Sequence, residues 1–155
     1  MHSGIDDEDE FMALVEPLLG RLGRLADRLA GPANRDDVVQ EAVVRAWLKR
    51  DQFDERRGAF SSWLFAITAD QARKMRRRAG RSAISWQPQA TAGPDQHVDV
   101  EEALKRLPAR QRMAIDCRYF AGLSVAETAA VMGCPEGTVK STLAAARASL
   151  RFLLR

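Results

Sequence analysis

Residues 124–141 read SVAETAAVMGCPEGTVKS, and this stretch decides the fold. Ser124 stands before an apolar run and Glu127 follows three positions later, which is the signature of a capping box at the start of a helix. Gly133 breaks that helix, and Cys134-Pro135 begins the next one, since proline suits the first turn of a helix. Two helices joined by a tight glycine turn predict a helix-turn-helix.

The second helix of this pair has one apolar face and one polar face. Apolar residues recur at spacings of three and four and are predicted to face inward; they are Val139, Leu143, Ala146 and Leu150. The residues predicted to face outward are Lys140, Ser141, Ala144, Arg147 and Arg151. Such a helix fits the major groove of DNA, where its early residues reach base edges and its cations meet phosphates. An ordinary helical hairpin with solvated charges has the same spacing and remains the alternative.

The chain before the helix-turn-helix divides into a helical segment and a linker. Helical periodicity starts at Val100 and continues through Leu104 and Leu107, and Pro108 suits the first turn of a further helix that reaches Tyr119. Residues 80–99 are instead rich in Ser, Gln, Pro, Gly, Ala and Thr, a composition typical of loops. We therefore predict a linker over 80–99 and a domain over 100–155.

Three helices are predicted before the linker, over residues 1–79. The first runs from about Glu10 to Leu29 and stops at Gly31-Pro32. Its predicted buried face holds Leu14, Leu18, Leu22, Leu25 and Leu29. Asn34 is the expected N-cap of the second helix, which reaches about Arg50 and buries Val39, Val43, Ala46 and Trp47. A loop follows over 51–58, and the third helix is marked by Phe60, Trp63, Leu64, Ile67 and Met75. The predicted fold is all-α, with two small helical domains.

The charge of the chain points to a polyanionic partner. The formal net charge is only +3, but basic residues are concentrated in the second domain and in an acid-free run, which contains Arg73, Lys74, Arg76, Arg77, Arg78 and Arg81. Clustered cations of this kind are typical of proteins that bind nucleic acid.

Several other classes of function are disfavoured. No apolar run approaches the roughly 20 residues that cross a bilayer, and the acidic residues 6–10 have the wrong sign for a secretory signal, so we expect a cytoplasmic protein without membrane insertion. Cys117 and Cys134 are read as small apolar residues. His2 and His97 have no nucleophile or metal-ligand partner in motif context, so neither catalysis, a metal nor a cofactor is predicted.

Five motifs resemble the extracytoplasmic-function (ECF) sigma factors of bacterial RNA polymerase. The stretch 123–141, LSVAETAAVMGCPEGTVKS, resembles their region 4, and LPARQR at 107–112 is also characteristic. In the first domain, DVVQE at 37–41, RAW at 45–47 and FSSWL at 60–64 resemble region 2. The matches stand in the family's order with a linker between them.

The resemblance implies a set of partners and contact residues. Region 2 of the family docks on the clamp of core RNA polymerase, and the matching residues are Asp37, Gln40 and Glu41. Region 2 also opens promoter DNA at the -10 element, where we expect the loop 51–59 to lie near the unpaired bases and Arg73, Arg76 and Arg77 to hold the backbone. Region 4 contacts the polymerase flap and reads the -35 element, with Lys140, Ser141, Thr142 and Arg147 as the expected contacts. An anti-sigma factor is a further partner that the family allows.

The chain also departs from the family pattern. Thr142 and Ala145 stand where basic or larger residues are common, and Ala66 and Asp70 replace a frequent Arg and Asn. These departures motivate one alternative, a polymerase-binding co-factor with weakened promoter reading. A second alternative is a helix-turn-helix regulator, which would normally bind a palindrome as a dimer. It leaves the motifs of the first domain without a role.

The linker predicts two conformational states. A flexible chain of about 20 residues has a relaxed end-to-end distance near 25 Å, whereas two promoter elements about two helical turns apart require something close to its full extension of roughly 65 Å. We therefore expect a compact free form, with Trp86 as the linker anchor, and an extended form on polymerase.

Overall fold

The computed structural model describes residues 4–80 and 96–155, and every regular element within those ranges is helical, which confirms the all-α prediction. The first half contains α1 (Glu8–Val15), α2 (Leu19–Ala30), α3 (Arg35–Leu48) and α4 (Phe60–Gly80), with 3-10 turns over Glu16–Leu18 and Arg50–Gln52. The second half contains α5 (Gln96–Arg106), α6 (Ala109–Ile115), a π-helical turn over Asp116–Phe120, α7 (Val125–Met132) and α8 (Glu136–Leu153).

The first predicted helix is two helices. Pro17 lies in the 3-10 turn between α1 and α2, where its missing N–H removes a helical hydrogen bond. Phe11 and Val15 of α1 face the core instead of Leu14, which is exposed, so the prediction for Leu14 was wrong. In α1, Phe11 packs on Trp47 and Phe60.

Asn34 stands at the predicted N-cap position of α3, but its side chain does not cap that helix. Its side chain makes no bond to the start of α3; its Nδ2 donates to the carbonyl of Ala30 at the end of α2, 3.0 Å away. The amide thus satisfies a carbonyl that the helix end leaves open. The centre of the buried stripe of α3 is Val38, Ala42 and Ala46, with the predicted Val39, Val43 and Trp47 half-buried beside it.

The linker prediction needs one correction. Helix α5 begins at Gln96, four positions before the predicted start of the second domain, so its first residues belong to the segment predicted as linker. Trp86, the predicted linker anchor, lies outside the described residues.

The helix-turn-helix has the predicted local structure. Ser124 and Glu127 form the capping box of α7, and Gly133 ends that helix with a left-handed φ of 66°. Pro135 is the N-cap of α8, so the helix itself starts one position later. On α8, Val139, Leu143 and Ala146 are buried, and all five residues predicted to face outward are exposed.

The two halves share one apolar core. Buried residues of the first half, including Leu22, Leu64 and Phe65, form a single cluster with residues of the second half. The second half contributes Cys117, Ala121, Leu123 and Val131, each at most 3% exposed. A separate cluster that includes Leu107, Val139 and Leu143 lies within the second half. The chain is therefore compact, and apolar contacts form the centre of the interface between its halves.

Candidate nucleic-acid and partner interfaces

One face of α3 carries the residues predicted to bind the polymerase clamp. Asp37, Gln40 and Glu41 are all exposed, opposite the buried stripe of the helix. The same face continues at Val44, which is 46% exposed, and at Leu48, which is 68% exposed. Residues three and four apart on a helix are neighbours, so the five form one continuous stripe. Val44 and Leu48 were missed from the sequence because both are apolar, and only the packing of α3 on α2 and α4 shows that they lie opposite the buried stripe.

A groove of about 580 Å³ lies between α2 and α3, beside this stripe. Its apolar lining comes from Leu19, Val39, Val43 and Val44, and Gln40 is the one predicted clamp residue among those that line it. Gly20 and Gly23 of α2 also line the groove and leave it open, since neither has a side chain. This surface therefore combines an apolar groove with the neighbouring acidic residues Asp37 and Glu41.

The three arginines predicted to hold DNA near the -10 element have different surroundings. Arg76 and Arg77 are exposed, whereas Arg73 is half-buried. Its Nη1 donates to Asp70 at 3.1 Å, and its Nη2 donates to the carbonyl of Val131 at 2.9 Å. Arg73 is therefore bound to the helix-turn-helix in this structure.

The loop 51–59 lies over an aromatic cluster. Phe53 packs on Phe60 and Trp63, with ring centroids 5.6 and 5.4 Å apart. Within the loop, hydrogen bonds from the backbone and side chain of Arg56 hold the pKa of Asp54 below its ordinary value. Phe60 is buried and Trp63 half-buried, so both serve the core, as expected. Phe65 on the same helix is also fully buried.

The recognition helix α8 presents Lys140, Ser141 and Arg147 to solvent, while Thr142 is half-buried. The Ser141 hydroxyl donates to the carbonyl of Thr138 at 3.0 Å. Arg147 donates through Nη1 to the hydroxyl of Tyr119, 3.1 Å away, and Tyr119 is itself 58% exposed. Tyr119 was missed from the sequence because it is 28 positions from Arg147.

Charged residues tie the two halves together around the shared core. Arg28 of α2 pairs with Asp116 at 2.9 Å and with Glu101 at 3.3 Å, and its guanidinium lies 3.8 Å from the ring centroid of Phe120. Arg21 pairs with Glu127 at 2.7 Å. Burial raises the pKa of Asp116 to about 6, although Arg28 opposes the shift. Burial also raises the pKa of the Cys117 thiol to about 12, which fits its reading as an apolar core residue.

Asp116 predicts a pH dependence of stability. Its folded pKa of about 6 exceeds the ordinary 3.8, so the native state binds this proton more tightly than the unfolded state does. The resulting stabilisation is complete below about pH 3.8 and is lost as the pH rises through 6, with an upper limit of about 3 kcal/mol.

We expect the unfolding free energy of the parent to fall relative to that of Asp116→Asn, which cannot titrate at this position, as the pH rises from 4 to 7. Urea unfolding at several pH values measures it. A difference that stays constant over this window would contradict the assignment.

Two kinds of site are not found among residues 4–80 and 96–155. No group of three His, Cys, Asp or Glu side chains there could hold a metal ion. Nor does any helix in the described part of the chain have the length and apolar character to span a membrane.

Comparison with known proteins gives matches over both halves. The profile of "Sigma-70 region 2" matches residues 14–82, and that of "Sigma-70, region 4" matches residues 97–150. Similar relatives include the ECF RNA polymerase sigma factor SigM of Mycobacterium tuberculosis, 37% identical over 88% of this chain and 71% of its own length. The ECF RNA polymerase sigma-E factor of Escherichia coli is 31% identical over 93% of this chain and 86% of its own length.

Two solved structures are similar over almost the whole chain. CnrH, in complex with the cytosolic domain of CnrY, has a TM-score of 0.71 and 30% identity, covering 96% of this chain and 90% of its own. The sigma factor RpoE of Bartonella quintana, in complex with the anti-sigma factor NepR, has a TM-score of 0.70 and 29% identity, covering 94% and 97%.

Proposed function

The chain belongs to the sigma-70 family, among the ECF RNA polymerase sigma factors, and from this membership we propose that it binds core RNA polymerase and directs transcription initiation at promoters. The observation that carries the proposal is the presence of both family regions, in order, with the α3 stripe and the outer face of α8 exposed. The protein acts by binding and not by catalysis, in the cytoplasm, where the polymerase works.

The test is run-off transcription with purified core enzyme and the full chain. A specific transcript that requires the chain supports the proposal. If the chain binds core stably but no promoter in a library gives a transcript, the result would favour the polymerase-binding co-factor. DNA binding that needs no core would favour the helix-turn-helix regulator.

We assign the functions to the two halves as the family order implies. Residues 1–79 bind the clamp and the -10 element, residues 100–155 bind the -35 element and the flap, and residues 80–99 join them. For the clamp, the α3 stripe of Asp37, Gln40, Glu41, Val44 and Leu48 combines acidic groups with exposed apolar side chains beside an apolar groove. Protein interfaces gain most of their affinity from a few residues that become fully buried near their centre.

The candidate site for the flap lies in the second half of the chain. Phe152, near the end of α8, is 69% exposed. It lines a groove of about 450 Å³ together with Leu107 and Pro108. We propose that this groove holds an apolar segment of the flap. An anti-sigma factor, as in the complex of RpoE with NepR, is a further partner that competes with core.

For DNA at the -35 element, Lys140 and Arg147 are the two exposed cations among the proposed contacts on α8. If both neutralise phosphates, each contributes about 0.9 to the slope of log affinity against log salt concentration. Replacing both with alanine in the polymerase-bound chain is therefore expected to reduce the magnitude of that slope by about two units. The affinity should fall alike on all promoter sequences.

The matched control is Arg110→Ala, an exposed arginine on α6 that is not among the proposed contacts on α8. Its slope should equal that of the parent. A loss confined to one base position would make Lys140 or Arg147 a base reader, and unchanged binding would mean that this face of α8 does not meet DNA.

A further inference from the structure

The first half of the chain holds α7 at both of its ends. At the start of α7, Glu127 Oε1 accepts a hydrogen bond from the Ser124 backbone N–H at 2.8 Å and from Arg21 Nη1 at 2.7 Å. Burial favours the neutral acid, but the bonds from Ser124, Ser61 and Arg21 hold the pKa of Glu127 below its ordinary value. At the end of α7, Arg73 Nη2 donates to the carbonyl of Val131.

The acceptor that Arg73 uses is chemically similar to a phosphate oxygen. Val131 is one residue before the end of α7, so its carbonyl is one of the last four that the helix leaves without an internal partner. These carbonyls carry the partial negative charge of the helix dipole. A guanidinium N–H that donates to this partly negative oxygen can equally donate to a phosphate oxygen.

The closed chain occupies one N–H of each terminal nitrogen of Arg73. Nη1 is bound to Asp70 and Nη2 to Val131. Arg76 and Arg77, three and four positions further along α4, are exposed, and neither has an acid partner among the ion pairs of the described residues. Of the three proposed DNA contacts on α4, Arg73 is thus the one whose guanidinium is bound to the second half.

We propose that Arg73 binds two acceptors in turn: the Val131 carbonyl when the two halves are packed together, and a phosphate of promoter DNA when they separate on the polymerase. The proposal rests on the proposed function. It makes closure of the chain and DNA binding by α4 compete for one side chain. DNA therefore helps to keep the chain open, because its phosphate binds the Arg73 guanidinium, which would otherwise donate to the Val131 carbonyl of α7.

Arg21 provides a comparison within the same interface. It ties Glu127 to the first half, but Glu127 keeps its bond to Ser124 when Arg21 is removed, so the capping box of α7 survives. Loss of Arg21 should therefore loosen the closed chain without changing DNA binding. Arg77 gives the converse, since it is exposed and makes no hydrogen bond or ion pair with the second half within residues 4–80 and 96–155.

The experiment measures three quantities for the full chain: the distance between labels on exposed sites in the two halves, the affinity for core enzyme, and promoter opening by the assembled holoenzyme, followed with permanganate. For Arg73→Ala we expect the closing equilibrium to weaken about 10-fold, as for the loss of a hydrogen bond from a charged group. Because core selects the open chain, its apparent affinity should rise by up to the same factor. Promoter opening at saturating core should nevertheless fall.

The comparison variants separate the two roles. Arg21→Ala should reproduce the longer distance and the tighter core binding with parental promoter opening, whereas Arg77→Ala should reduce opening only. If Arg73→Ala leaves the distance and core affinity unchanged, Arg73 does not hold α7; if it leaves opening unchanged, Arg73 does not bind DNA. Either result overturns the proposal. A parent chain that opens no promoter would refute the proposed function instead, and the distance measurement would still report on closure.

Discussion

Replacing Leu48 with glutamate is expected to weaken binding to core RNA polymerase by about 30- to 1,000-fold, which corresponds to about 2 to 4 kcal/mol. Leu48 is 68% exposed at the end of the α3 stripe. An apolar side chain so exposed gains free energy when a partner covers it, whereas a glutamate in the same place must lose its hydration. Fluorescence titration of labelled chain with core enzyme measures the change.

The control for this prediction is Val100→Glu, which places the same charge on an exposed apolar position of α5 in the other half. It should bind core as the parent does. Reversing the charge of Glu41 on the same stripe should weaken assembly less than the change at Leu48, because Glu41 is exposed and rim charges contribute little to affinity. If core binding is indifferent to both Leu48→Glu and the reversal at Glu41, the clamp does not bind this face.

The parts of the fold that the sequence predicts well are those with local causes. The capping box of Ser124 and Glu127 and the left-handed Gly133 involve residues at most four positions from their partners. Their geometry follows from backbone chemistry that does not depend on the rest of the fold. Asn34 shows the limit of the same reasoning, since its amide had two helix ends within reach and bonded the earlier one.

The parts that the sequence could not predict depend on pairs that are distant along the chain. Arg21 and Glu127 are 106 positions apart, and Arg73 and Val131 are 58 apart. An arginine in a basic run is typical of a DNA contact. Nothing in the sequence around Arg73 indicates that it will donate a hydrogen bond to a helix carbonyl. The exposure of Leu48 likewise follows from which face of α3 packs on α2 and α4, which only the folded chain decides.

The shared core explains why the two halves of this chain are not independent units. Single cores in segments below about 70 to 80 residues are only marginally stable. Here the four buried residues from the second half complete the cluster around Leu64 and Phe65. Separating the halves exposes these side chains, so the open form needs a partner that compensates for the lost apolar burial. Core polymerase, which we propose binds the open chain, is the candidate for that role.

Truncating Leu123 to alanine is expected to destabilise the first half of the chain although Leu123 belongs to the second. Its side chain is fully buried in the shared cluster. Removing a buried leucine side chain costs about 2 to 5 kcal/mol, a large part of the stability of a typical small protein. In a Trp86→Phe background, the remaining tryptophans Trp47 and Trp63 both report on the first half. Urea unfolding followed by their fluorescence should show a clearly lower midpoint.

Leu143→Ala is the matched control, because Leu143 is a buried leucine of the cluster that lies within the second half. It measures how much a loss of stability confined to the second half lowers the unfolding midpoint reported by Trp47 and Trp63, through cooperative unfolding. The shared core predicts a larger shift of the tryptophan midpoint for Leu123→Ala than for Leu143→Ala. Equal shifts would mean that the chain simply unfolds as one unit. A tryptophan transition that Leu123→Ala leaves in place, while the helical signal of circular dichroism moves, would show that the first half is stable without the second and that opening costs it little.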